Sequence, residues 1–150
     1  MSEAVYKFEK INPTAEDWRR IEGAYDSTIY QTEKWYTYLK RIGVKRCIVE
    51  VNELVSEGIS ELRSDRIGYF LGEKVWMGIP MVTAPIEGIG TYTQGLNMLR
   101  ETSEEERIEI YQALAEWIFK KGYAWTLQVE DWQLRRDTPE WMPNEAFHNE

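Results

Sequence analysis

Few residues in this chain have the chemistry to act on a ligand, and the richest group lies in one stretch of fifteen. "MVTAPIEGIGTYTQG", residues 81–95, sets the hydroxyls of Thr91 and Tyr92 among glycines, between an apolar run and a helical run. Glycines on both sides let a ligand approach the backbone, and they equally suit a tight crossover that holds a sheet. Elsewhere reactive types are sparse. Cys47 is the sole cysteine and His148, near the end of the chain, the sole histidine, which removes an internal disulfide, a cysteine zinc cluster, a histidine-rich metal site and a Ser-His triad with an internal histidine. Cys47 alternates with Val49 and Val51 in "RCIVEV", the pattern of a buried strand thiol rather than a nucleophile. No G-x-x-x-x-G-K-[ST] loop is present, and "GIGTY" lacks the G-x-G-x-x-G spacing, so no dinucleotide site is expected. Glu104 to Glu106 suit a helix dipole and Glu130-Asp131 a strand end, leaving no carboxylate pair assigned to acid-base work.

Charge narrows the partners. The formal net charge is −8, so the summed field repels phosphate backbones and anionic lipid surfaces. Basic residues occur at most two in a row, as in Lys40-Arg41, Lys45-Arg46 and Lys120-Lys121, and read as solvated element ends. No direct nucleic-acid partner is expected. No apolar run approaches the roughly 18 residues of a membrane span, and no leader opens the chain, so the expected setting is cytoplasmic.

Positioning the loop residues requires a framework, and 150 residues with 43% hydrophobic content can build one domain with a core. "VYKFEKI" alternates Tyr6 and Phe8 with charges, as a half-buried strand does. A helix capped by Thr14 follows, with Asp17 three positions on and Trp18, Ile21 and Tyr25 on one face. Thr32 caps a second helix whose inward stripe is Trp35, Leu39 and Ile42 and whose stop is Gly43. "KRCIVEVNE" returns to period two. Residues 52–66 read as a polar loop, within which "LVSEGISEL" also fits a short helix or an edge strand. "IGYFL" and "KVWMGIPMV" read as strands joined by a Gly72-Glu73 hairpin turn. The clearest helix begins at Ser103, capped with Glu106 and stopped at Gly122, and buries Ile108, Tyr111, Leu114, Ala115 and Ile118. "YAWTLQVEDWQL" closes the pattern as a strand with Trp125, Leu127 and Val129 on one side. Residues 137–150 hold four acids and no Lys or Arg, and read as an acidic tail or linker. The order predicts an α/β (α+β) mixture around one central sheet.

Two segments carry a family resemblance. "Ile29-Tyr30-Gln31-Thr32-Glu33-Lys34-Trp35" resembles the Phe-Gln-Ser-x-x-Trp helix start of the FemAB family, the peptidoglycan-bridge aminoacyl transferases built on GNAT-type acyltransferase lobes. "Thr83-Ala84-Pro85-Ile86-Glu87-Gly88-Ile89-Gly90-Thr91-Tyr92-Thr93-Gln94-Gly95" is similar to that family's glycine-rich loop after the third strand. The later helix and strand follow in the family order. The resemblance implies a GNAT-like, mostly antiparallel central sheet flanked by helices, with residues 1–136 forming a single lobe. Relatives carry two such lobes, and Trp141-Met142-Pro143 matches the stretch that leads into their second. Under this resemblance the chain is either part of a longer protein or a single-lobe relative.

By position, the resemblance assigns substrate binding to Gln31, Lys34, Trp35, Thr91 and Tyr92. A lysine anchors a phosphate as a point charge and an indole packs on a sugar or peptide face. The same pair also fits a core Trp beside a solvated Lys. The acid that follows the loop in many relatives is replaced here by "Gly95-Leu96-Asn97-Met98-Leu99", so catalytic residues are unknown. The acyl-CoA signature of ordinary GNAT enzymes is missing as well, so no cofactor is expected in this chain. Acyl-CoA or aminoacyl-tRNA would serve as donor with a second lobe. The expected function is acyl or aminoacyl transfer to the amine of a small or cell-wall precursor acceptor. The alternative is a non-catalytic GNAT-like binding or dimerisation module, and a homo-oligomer or second lobe fits both.

Overall fold

The computed structural model describes residues 5–25, 27–28, 31–56, 62–76, 79–84, 95–129 and 145–148. In chain order these form β1 (Val5–Lys10), α1 (Ala15–Glu22), α2 (Glu33–Arg41), β2 (Arg46–Ser56), β3 (Leu62–Trp76), β4 (Pro80–Ala84), β5 (Gly95–Met98), α3 (Glu104–Lys121), β6 (Thr126–Val129) and β7 (Glu145–His148). The fold is mixed α+β, a mostly antiparallel sheet with helices, in keeping with the α/β (α+β) mixture around one central sheet expected from the chain order. The strands run β1-β2-β3-β4-β6-β7, and β5 pairs with β3 off that path.

Local chemistry explains the helices. Thr14 accepts from the Asp17 amide while the Asp17 carboxylate takes the Thr14 amide, a reciprocal cap at the head of α1. Thr32 accepts from the Trp35 amide at 3.2 Å, which starts α2. In α3, Ser103 accepts from the Glu106 amide, three glutamates sit at the positive end, and Gly122 takes φ +73° to close the helix. Both faces of the sheet are covered. The α3 residues Ile110, Tyr111, Leu114, Ala115 and Ile118 pack against Phe8, Val49, Phe70, Val82 and Leu127. On the other face Trp18 and Ile21 of α1 pack against Ile48, Tyr69 and Leu71, with Tyr36 of α2 beside them.

Several sequence expectations are corrected. Gly72-Glu73 is not a hairpin turn: β3 runs through it without a break, because its pairing with β2 extends through Gly72 and Glu73 and its pairing with β4 carries on from Glu73. Residues 52–56 and 62–66 are strand rather than loop. Their charges pair across the sheet surface, as Arg66 does with Glu50 at 3.2 Å, so polarity here marks solvent exposure and not irregular backbone. Tyr25 lies past the end of α1 and is exposed, and Ile42 caps α2 half-exposed instead of completing its inward stripe. In α3, Ile110 takes the fully buried place expected for Ile108. Trp125 precedes β6 and faces solvent. Glu145–His148, within the expected tail, pairs antiparallel with β6 and so belongs to the sheet.

The central strand changes partners midway. Gly68 to Leu71 pair with β5, whereas Glu73 to Trp76 pair with β4. β4 then continues the sheet through a parallel pairing with β6. Among the described residues β5 has no strand on its outer side, and α3 supplies partners there: the Leu96 amide donates to the Tyr111 hydroxyl at 3.0 Å, and Arg107 Nη2 donates to the Leu96 carbonyl at 3.3 Å. Gly68 lets β5 approach this closely. A Cβ there would lie 2.7 Å from the Asn97 carbonyl oxygen and 3.2 Å from Met98 Cα, both backbone atoms. Gly68→Ala is therefore expected to destabilise the protein by about 1–3 kcal/mol in urea unfolding.

Candidate functional site

The end of α1 and the head of α2 are tied together from beneath. Asn97 of β5 donates through Nδ2 to the Ile21 carbonyl at 3.1 Å and to Gln31 Oε1 at 3.0 Å. Both side chains are fully buried, and Gln31 Nε2 and Asn97 Oδ1 have no hydrogen-bond partner among the described residues. This complementary donor and acceptor are suited to one bridging water. Gln31, expected at the ligand surface, is thus turned into the interior, where it braces the helix start.

Lys34 and Trp35 stand on that brace and face outward. With Glu22 and Thr32 they line an open cleft of about 380 Å³. Lys34 is exposed and Trp35 half-buried, its ring 5.2 Å from that of Tyr38. Two of the expected site residues therefore meet in one cleft. The cleft also contains Glu22, which the sequence reading missed because the carboxylate belongs to a different helix. Thr91 and Tyr92 lie outside the described residues, as do Ile29, Tyr30 and the Trp141-Met142-Pro143 stretch. The ends of the segment that holds Thr91 and Tyr92 are placed: Thr83 pairs with Glu73 and Gly95 with Leu71, so they flank Gly72 of β3.

A second polar centre was not legible in the sequence. Arg46, Glu73, Thr83 and Gln128 are successive cross-strand partners, so their side chains form one row on the sheet face that carries α1 and α2. Arg46 Nε donates to the Gly72 carbonyl at 3.3 Å and the guanidinium lies 5.9 Å over the Tyr36 ring. Its two Nη atoms and Glu73 Oε1 are buried without partners among the described residues. Glu73 is only 4% exposed. Burial pushes its carboxyl up to about 7, against the opposing pull of Arg46, and burial likewise lowers Arg46. Asp17, across the same face, behaves oppositely. Burial raises it, but hydrogen bonds from the Thr14 backbone, the Tyr69 hydroxyl and the Thr14 hydroxyl, with Arg20 nearby, hold it below its usual range. It is an anchor for α1, fixed ionised, whereas Glu73 is poised to change charge near neutral pH.

Among the described residues no group of three or more His, Cys, Asp or Glu is placed to hold a metal ion, and no helix is long and apolar enough to cross a membrane. Cys47 is fully buried in β2, as its alternation predicts, and burial raises its thiol, which disfavours the nucleophilic thiolate. No family model matches the chain, and neither do curated proteins or solved structures.

Glu73 makes a pH-dependent contribution to stability. Its folded value lies above the ordinary 4.5, so the folded state keeps a proton that the unfolded chain releases between 4.5 and about 7. The contribution is complete below pH 4.5 and is lost as the pH rises through about 7. Glu73→Gln stays neutral throughout. Urea unfolding at about pH 5 and about pH 8 is expected to show the variant gaining up to about 2 kcal/mol on the wild type over that interval.

Proposed function

We propose that this chain is a GNAT-like lobe of a FemAB-type acyl or aminoacyl transferase, and that the head of α2 receives the amine acceptor. The observation that carries this reading is the convergence of Lys34, Trp35 and Glu22 on one cleft. A carboxylate, an ammonium and an indole in a single cleft suit an amphoteric ligand. Glu22 attracts the ammonium of an acceptor, Lys34 a phosphate or carboxylate on the same molecule, and Trp35 packs on a sugar or aliphatic face. A peptide-bearing cell-wall precursor has all three features.

The transfer joins the acceptor nitrogen to the carbonyl carbon of an activated ester. The C–N bond forms, the ester bond breaks, and the amine gives up a proton. In such chemistry a protein contributes mainly by holding the amine against the carbonyl and stabilising the developing oxyanion. This lobe supplies acceptor binding, and the donor, an acyl-CoA or an aminoacyl-tRNA, is brought by a second lobe or a second copy. The buried Gln31 then acts indirectly, fixing the angle at which α2 presents Lys34 and Trp35.

Isothermal titration with a UDP-muramyl peptide tests the cleft. The wild type is expected to bind, and Lys34→Ala and Trp35→Ala are each expected to weaken binding by about tenfold or more. Unchanged affinity in both variants, or no binding by the wild type, sinks the acceptor assignment.

A further inference from the structure

The fold sorts the charges that the sequence scatters. Both α2 and α3 end with lysine or arginine, which favours a helix C-terminus. Each then passes through a short connection into the start of a strand, α2 into β2 and α3 into β6. The strand pairings set those two starts beside the end of β3 and the beginning of β4, so all four lie at one end of the sheet. Lys40, Arg41, Lys45, Lys74, Lys120 and Lys121 therefore gather there, although they come from three separate stretches of the chain. The contact that joins Lys45 to Lys74 is a backbone hydrogen bond of 2.9 Å. The three glutamates at the head of α3 lie at the opposite end, about 25 Å away along an 18-residue helix.

Large apolar side chains stand exposed at the same end. Trp76 is 73% and Trp125 57% exposed. They flank Pro80, which pairs with Trp76 and accepts the Trp125 amide at 2.9 Å. Ile79 next to Pro80 and Ile42 at the end of α2 are exposed too. Neighbouring groups use their rings and cations internally, as Lys10 does over Tyr123 at 5.1 Å, but the two indoles face solvent.

We propose that this end of the molecule docks on an anionic lipid bilayer, with Trp76 and Trp125 at the headgroup level and the surrounding lysines against the lipid charges. Indoles favour the membrane interface, and each cation near an anionic surface adds attraction. The net charge of −8 does not prevent this. A plane touches one end only, and the acidic end lies about three screening lengths away, at about 8 Å each in physiological salt. A nucleic acid is the poorer fit, because Ile42 and Ile79 offer nothing to a phosphate and insert readily among acyl chains. This inference is independent of the acyl-transfer reading, since none of its residues lines the α2 cleft.

Flotation with vesicles provides the test, using phosphatidylcholine alone and phosphatidylcholine with about one third phosphatidylglycerol. The full chain is expected to float only with the anionic vesicles, and to be released when salt rises from about 0.1 M to about 1 M. Trp76→Ser with Trp125→Ser, and separately Lys45→Glu with Lys74→Glu, are each expected to weaken partitioning at least about tenfold. The Lys120→Gln, Lys121→Gln pair, on an exposed helix end, gives a third variant that removes two charges without placing acids at the helix C-terminus. No flotation with anionic vesicles overturns the proposal, as does flotation unchanged in all three variants. Binding of an RNA probe without vesicle binding, lost in the same variants, overturns it in favour of a nucleic-acid partner.

Discussion

The architecture depends on how closely other backbone can approach one strand. β3 hydrogen-bonds to β2 along one side and, on the other, first to β5 and then to β4. Two bare positions make that possible. At Gly68 a side chain would meet the backbone of β5, and at Gly72 a Cβ would lie 2.6 Å from the Phe70 ring and 3.2 Å from the Thr83 carbonyl. Had either position carried even a methyl, the strand would have to give up close pairing with one partner or displace a packed ring. A β-bulge between Val51 and Asn52 works with this arrangement. It lets Ile67 join the α3 core while Tyr69 and Leu71 face α1.

The branching of the sheet at Gly72 accounts for where the polar groups lie. Where β3 passes from β5 to β4, the row Arg46, Glu73, Thr83 and Gln128 crosses the sheet beneath the helices, and the segment holding Thr91 and Tyr92 departs and returns on either side. β5, paired with β3 on one side, is gripped on the other by Tyr111 and Arg107 of α3, and sends Asn97 under the head of α2. The cleft of Lys34 and Trp35 is therefore coupled mechanically to the branch point through Gln31 and Asn97. A buried amide pair of this kind fixes orientation, because breaking the Asn97–Gln31 bond would leave two buried polar groups unpaired.

Electrostatics repeats the same division between fixed and adjustable groups. Asp17 is held ionised by donors from its own cap and from Tyr69, so it locks α1 to the sheet at any pH at which the protein is folded and the carboxylate charged. Glu73 has burial and, against it, only the pull of Arg46 on the neighbouring strand, so its charge is nearly balanced near pH 7. Both are carboxylates on one sheet face. What separates them is the number of donors within reach.

Local signals in the chain were sufficient for the helix starts and stops, because Thr14, Thr32, Ser103 and Gly122 act within one turn of themselves. Alternation was sufficient for the buried thiol of Cys47, and the pairing of Lys34 with Trp35 at a helix head marked two walls of the cleft. Tertiary structure decided the rest. Gly72-Glu73 has the composition of a turn, and only continuous pairing with β2 makes it strand. Gln31 sits two residues before Glu33, where a surface position is expected, and only Asn97, 66 residues away, turns it inward. Glu22, Arg46 and Glu73 look like ordinary surface charges in sequence, since the neighbours that give them a cleft, a ring and a dry interior come from other elements. Periodicity and capping are short-range and readable from a single chain, whereas burial, charge sorting and shared sites arise from contacts between residues far apart in sequence, which only the folded chain brings together.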